Sequence, residues 1–354
     1  MITMLRTLST MQSNLNGRRQ VADLSRQLQE AGQEATTGVK SDRYRALGSR
    51  AEGAMITRAR QSRLEGFASS NATLDRRLEM IGRSLDDMRE SLQTVLTLAA
   101  PNLGEQTVTG PQLQAAAEVA LAQITGQVNR SYEGVSLFAG VENGVRALQP
   151  FDEQNPATGL SPRDVVAGVV GAGPGNAAAA ATMADDLAAK FDAAAPGPDS
   201  YAATFYNGAA RNGDGKGLQA RIDEEEILDY GVQADDPAFA NLVRGLSMLA
   251  AVDVGDLSDE TAQVWVNRAV EAMERGRDGL LSAETRIGAQ RRHLESTMQA
   301  QDARLTLYRQ QVNELEGADP YEAATRLTQL QTQLEASYAV TARLSKLSFI
   351  DFMR

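Results

Sequence analysis

In Leu64–Ala99, LEGFASSNATLDRRLEMIGRSLDDMRESLQTVLTLA, the residues Leu64, Phe67, Asn71, Leu74, Leu78, Ile81, Leu85, Met88, Leu92, Val95 and Ala99 recur at alternating steps of three and four. Only Asn71 among them is polar. A mean repeat of about 3.5 residues keeps one stripe of a helix facing a partner, as a coiled-coil seam requires. At 1.5 Å per residue the stretch makes a rod of roughly 54 Å. A rod cannot bury its own stripe, so partner helices must come from elsewhere in the chain or from other copies.

The partner is legible far downstream. Leu280, Ile287, Leu294, Met298, Leu305, Tyr308, Val312 and Leu315 fall on a second stripe of the same period, opened by Asp259 and Glu260, where a helix N-terminus favours negative charge. Gly317 interrupts it, and Asp319-Pro320-Tyr321-Glu322 restarts it as a capping box that Leu327, Leu330, Leu334, Leu344 and Leu347 extend almost to the terminus. At the front, Met4, Leu8, Met11 and Leu15, then Val21, Leu24 and Leu28, predict a helix over residues 4–35, with Gly38 suited to a left-handed cap and a polar loop following over 41–48. Residues 111–130 predict a further helix, with Leu113, Ala117, Leu121, Ile124 and Val128 inward, and Glu133–Gly140 reads as an extended exit.

Between residues 141 and 257 the period breaks. Gly, Pro, Asn and Ala become frequent, and Leu218–Ile222 alternates like a strand, with Asn212-Gly213-Asp214-Gly215 before it as hairpin-turn chemistry. Helices are expected over 177–195 and from Asp236-Pro237, where proline takes the first helical position. The fold class is therefore mainly α with an inserted α+β domain, an antiparallel long-helix coiled-coil bundle being formed by the N- and C-terminal arms. The expected division is 1–48 as an assembly helix and loop, 49–140 as the first half of the bundle, 141–257 as a mixed surface domain, and 258–354 as the second half with its terminal assembly helix.

Composition narrows the function. The 354 residues contain no cysteine and one histidine, His293, which removes thiol chemistry, disulfides and Cys-based zinc sites and leaves one candidate imidazole base. The net charge is −11, and residues 141–258 alone sum to −11, so the insert is acidic while the arms are nearly balanced. That distribution argues against a phosphate-backbone binder, and Arg18-Arg19 and Arg76-Arg77 read as solvated helix faces. No apolar run approaches the length of a membrane span, and Met1–Asn16 lacks the pattern of a cleaved secretory signal.

No residue reads as catalytic, cofactor-binding or metal-ligating. Gly171-Ala172-Gly173-Pro174-Gly175 follows Val165, Val166, Val169 and Val170 like a phosphate-cradling turn, but Asn176 stands where the third glycine of that fingerprint belongs, so it reads as a surface or inter-strand loop. Asp223–Glu226 and Asn212–Gly217 lack calcium-loop spacing and read as solvated surface. Asn71 reads as a register-fixing polar residue in the seam. The residues assigned to assembly are Leu8, Leu15, Leu24, Leu28, Leu64, Asn71, Leu78, Leu85, Leu92, Leu294, Leu305, Leu327, Leu334, Leu344 and Leu347.

The chain resembles the bacterial flagellin superfamily, most closely its flagellin-like hook-associated branch, over roughly residues 1–140 and 258–354. The resemblance is carried by Thr36-Thr37-Gly38-Val39-Lys40, by Ser136-Leu137-Phe138-Ala139-Gly140, and by the tail from Asp319-Pro320 through Leu344-Ser345-Lys346-Leu347-Ser348-Phe349-Ile350-Asp351-Phe352. Within the insert, Phe205-Tyr206-Asn207-Gly208, Asp229–Val232 and Asp236–Phe239 add to it. It implies a structural, non-enzymatic subunit of the extracellular flagellum, exported unfolded by the type III route and placed at the hook-filament junction. The implied partners are flagellin, another hook-associated protein, further copies of the chain in a ring, and an export chaperone on the C-terminal helix, without nucleic acid or membrane. A filament flagellin, an intracellular coiled-coil adaptor and a nucleotide-dependent enzyme resting on the 171–175 loop are the rival readings.

Overall fold

The computed structural model describes residues 2–100, 110–209 and 218–352, with side chains described at 12, 15–43, 45–100, 110–209 and 218–343. The long helices are α1 (Ile2–Thr37), α3 (Ala51–Ala99), α8 (Asp259–Glu316) and α9 (Pro320–Phe352). The chain is mainly α, with long helical arms, a small insert and two short antiparallel strand pairs among the described residues. It divides into two compact units, Met1–Gly66 with Gln301–Arg354, and Phe67–Ala300.

In the second unit, the opening stripe does what its period requires. Leu74, Leu78, Ile81, Leu85, Met88, Leu92, Val95 and Ala99 are buried, in one apolar cluster with Leu280, Ile287 and Leu294 of α8. The two helices run antiparallel here, because Asp75 meets Arg291 at 3.0 Å, Gly82 lies under Ile287 and Arg89 meets Glu284 at 3.4 Å. Helix α4 (Gly110–Val128) buries Leu113, Ala117, Leu121, Ile124 and Val128, the inward set expected of it.

The most enclosed helix is α7 (Pro237–Ala251), capped by Asp236, whose carboxylate accepts from the Ala238 N–H at 3.1 Å. A Cβ on Gly245 would meet the Ala269 carbonyl at 2.6 Å, and one on Gly276 would meet the Leu242 backbone at 2.8 Å. These glycines let α7 and α8 approach closely, and Trp265 fills the neighbouring space, donating its indole N–H to the Met248 carbonyl at 3.0 Å. Eleven of the seventeen aromatic residues lie between 67 and 300. Phe191, Tyr201 and Phe205 pack together with centroids 4.8–5.5 Å apart, and Phe138 meets Phe239 edge-on at 5.7 Å.

Several expectations are corrected. The Val165–Val170 run is helix α5 (Pro162–Val170), because Ser161 and Asp164 form a reciprocal capping box and Pro162 takes the first helical position. The glycine-rich 171–175 segment therefore joins α5 to α6 (Ala177–Lys190), with no strand before it. Helix α6 stops at Lys190, short of the expected 195. The expected extended exit is a tight hairpin, β1 (Ser131–Tyr132) with β2 (Val135–Ser136), turning at Glu133 and Gly134, φ +50 and +79.

Strand β3 (Leu218–Arg221) pairs with β4 (Ile227–Tyr230), which follows it, so Asp223–Glu226 is the hairpin turn. The Asn212–Gly217 stretch lies outside the described residues. The expected polar loop after Gly38 holds α2 (Arg43–Leu47), begun by Asp42, which accepts from the Arg45 N–H at 3.0 Å.

Candidate assembly site

In the first unit the terminal helices find each other. Helix α1 ends on Gly38, φ +67, with the Gly38 N–H donating to the Glu34 carbonyl at 2.9 Å. The next residues pair with the break between α8 and α9. Lys40 N–H donates to the Glu316 carbonyl and Ala318 N–H to the Gly38 carbonyl, both at 2.9 Å, around the Val39–Gly317 bridge. The Thr37-Gly38-Val39 turn and the Gly317 interruption are thus two halves of one clasp.

Glu316 secures it. Its carboxylate is buried, 5% exposed, yet lies 2.5 Å from Arg58 and 3.6 Å from Arg43. A buried carboxylate needs such partners to remain charged. Helix α3 continues antiparallel to α8 in this unit, with Glu65 meeting Arg309 at 3.2 Å. Arg309 and Gln61 hold the Glu65 carboxyl below its ordinary range, the Gln61 hydrogen bond contributing most.

Beyond the clasp, α1 and α9 lie antiparallel. Gly17 lies opposite Thr341, Gly32 opposite Leu327, and Glu34 meets Arg326 at 3.4 Å. Helix α9 is started by Asp319, which accepts from the Tyr321 N–H at 2.8 Å, while Glu322 pairs with Arg326 at 2.7 Å. This two-helix contact covers little. Ala31, Ala323 and Leu330 are buried, but Leu24, Leu28, Leu327 and Leu334 are only half-buried. Leu15, Tyr338 and Val340 stand 47%, 55% and 57% exposed.

The assembly residues named from the sequence therefore fall into distinct settings. Leu78, Leu85, Leu92 and Leu294 are sealed in the core of the second unit, and Leu64 and Leu305 are buried in the first. Leu15, Leu24, Leu28, Leu327 and Leu334 lie along the incompletely covered α1 and α9 pair. The side chains of Leu8, Leu344 and Leu347 lie outside those described.

Asn71 is buried and donates its amide to the Ile222 carbonyl at 2.8 Å, tying α3 to the insert. Arg77 corrects the solvated-face expectation: it donates to the Ser136 carbonyl at 3.0 Å and lies over the Tyr230 ring at 5.7 Å, while Arg76 is exposed. Nothing in the local pattern distinguishes the two arginines. Only the insert's position selects Arg77.

The exit motif is equally anchored. Leu137, Phe138 and Ala139 are fully buried, and Gly140, φ +68, passes so close to Gln233 that a Cβ would fall 2.7 Å from its amide nitrogen.

Residues 270–353 match the family model for the bacterial flagellin C-terminal helical region. Over that region the chain is similar to flagellins. The match takes in most of α8, the Glu316–Ala318 half of the clasp and all of α9. A solved structure described as a flagellar hook-associated protein from Vibrio parahaemolyticus is similar with a TM-score of 0.51 at 13% identity, over 75% of this chain and 97% of that one. Bacillus cereus FlgL aligns with a TM-score of 0.45 at 13% identity, over 75% and 98%. At 13% identity the Vibrio likeness is one of fold. No curated protein sequence matches this one.

The described residues hold no group of three or more acidic or histidine side chains able to bind a metal ion. His293 is half exposed on α8, with Nε2 2.8 Å from a Glu226 carboxylate oxygen at the β3–β4 turn. Among the described residues no helix is long and apolar enough to cross a membrane.

Proposed function

We propose that this flagellin-like chain is a structural subunit of the bacterial flagellum that joins the hook-associated ring to the filament after type III export. The observation that carries the reading is the clasped but incompletely covered pair of terminal helices. Two helices in contact bury one narrow stripe each, and the remaining apolar side chains of α1 and α9 are stabilised when neighbouring copies cover them. A head-to-tail contact of this kind propagates along an axis. In this reading residues 1–48 and the end of α9 are the assembly elements, 49–140 and the rest of 258–354 form the bundle, and 141–257 is the acidic outward surface. The neighbours are flagellin, another hook-associated protein and further copies of the chain, and the C-terminal helix is what an export chaperone would hold before assembly.

Deleting the gene tests the junction role. Hooks without filaments, with flagellin released into the medium, are the expected outcome, whereas hooks and filaments both intact overturn it. The match to the flagellin C-terminal region also suits a filament subunit. That reading predicts that the deleted strain releases no flagellin, since its flagellin would be this chain. Removing residues 336–354 is expected to leave a folded monomer that is absent from purified axial structures, and normal incorporation of the truncated chain contradicts the assembly role.

A further inference from the structure

Helix α7 carries one charged residue, Arg244, among eleven buried neighbours on the same helix. An apolar central helix has no structural need for a guanidinium, and half-burying one costs solvation. The charge is also in poor company. Arg244, Arg268 and Arg275 line one small cavity of about 60 Å³ with Asp185, Glu271, Met248 and alanines of α6.

The ion pairs in that cluster are already distributed. Arg275 pairs with Glu271, and Arg268 reaches Asp185 at 3.6 Å and Glu271 at 3.9 Å. Three guanidinium groups face two carboxylates, which leaves one positive charge over in a chain whose net charge is −11. Burial, followed by the like charge of Arg275 and then Arg268, holds the Arg244 pKa below an arginine's ordinary value, against the opposing pull of Glu271 and Asp185. Arg244 is also fixed in place. Its neighbour Gly245 is pressed against the Ala269 carbonyl, and Leu242 against Gly276, so the backbone that carries it has no room to shift along α8.

We propose that Arg244, Arg268 and Arg275 form a binding site for a small tetrahedral oxyanion of the phosphate or sulfate class, seated between α6, α7 and α8. The cavity has room for a few water molecules or one such anion. Guanidinium forks match its oxygens, and the anion supplies the negative charge the cluster lacks. Because the three arginines and two acids come from three helices, binding draws these helices together and raises the stability of the 67–300 unit.

The test uses the full-length chain and inorganic phosphate. Phosphate is expected to raise the melting temperature of wild type saturably and to broaden its own phosphorus-NMR line on addition of protein, while chloride at equal ionic strength does neither. Arg244→Met is expected to weaken phosphate binding at least tenfold. Arg275→Gln, at an exposed position, serves the same purpose if Arg244→Met does not fold, and Arg163→Gln, remote on α5, should bind as wild type does. An equal response to chloride, or unchanged phosphate affinity in both Arg244→Met and Arg275→Gln, overturns the proposal.

Discussion

The two units share the long helices α3 and α8 and differ in what those helices meet. In residues 67–300, α3 and α8 enclose α4, α7 and the aromatic cluster of the insert, and Leu78, Ile81, Leu85, Met88, Leu92, Phe138, Phe239 and Trp265 are sealed from water. In the unit built from 1–66 and 301–354, helices meet mainly in pairs, and the buried side chains described there are mostly small or isolated: Ala31, Leu47, Ala54, Leu64, Leu305, Ala323 and Leu330. Helix content alone thus says little about stability. The difference teaches that one region is a finished fold while the other leaves apolar helix faces partly uncovered, since helical stability in proteins comes chiefly from burying an amphipathic face.

The strongest way to break this comparison is to open a cavity in the finished region. Phe239→Ala is expected to cost about 3–5 kcal/mol and Leu85→Ala about 2–5 kcal/mol, read as a lower midpoint of the main denaturant transition. A loss below about 1 kcal/mol for either would mean that the unit is not close-packed. In the clasp, Glu316→Gln should cost less, about 1–2 kcal/mol, because Arg58 and Arg43 are still partly solvated when their partner is lost. Its signature is faster amide exchange at Lys40 and Ala318 with the main transition unmoved. Exchange that is unchanged at both amides would place the clasp's stability elsewhere.

Leu327→Ala, at a half-buried site against Gly32, is expected to cost about 1 kcal/mol, confined to the α1 and α9 pair. The same contrast predicts that mild protease cuts purified monomer within α1 and α9 before it cuts within 67–300. Prior cleavage in the insert would reverse the ranking of the units. The smallest effect is local and depends on pH. Hydrogen bonds from the Ser161 backbone and hydroxyl hold the Asp164 carboxyl below its ordinary range. A depressed carboxyl stabilises above its unfolded pKa, and that contribution is lost as pH falls through the folded value. The first turn of α5 should therefore fray in acid before the rest of the unit, as amide exchange at Asp164 would register.

Much of the finished region is legible in the chain because periodicity survives whatever it packs against. The alternating steps of three and four from Leu64 to Ala99, the inward face of α4, the Asp236-Pro237 start of α7 and the Asp319 cap of α9 all follow from local chemistry. The 171–175 segment is a loop as read, but which elements it joins is settled upstream, where the Ser161–Asp164 box starts helix α5. Strand β3 pairs with β4 across the Asp223–Glu226 turn, while the Asn212–Gly215 turn chemistry before it lies outside the described residues.

What the amino-acid order determined by itself is the long helices with α4 and α7, their inward faces and their caps, since each depends on residues within a turn or two of one another. What only the tertiary structure decided is which of the exposed-looking groups are spoken for. Arg77 rather than Arg76 binds the insert, Asn71 reaches a carbonyl 151 residues away, and the Gly38 turn closes on Glu316–Ala318. These contacts join distant parts of the chain, and a local pattern holds no record of the distance between them once it is folded.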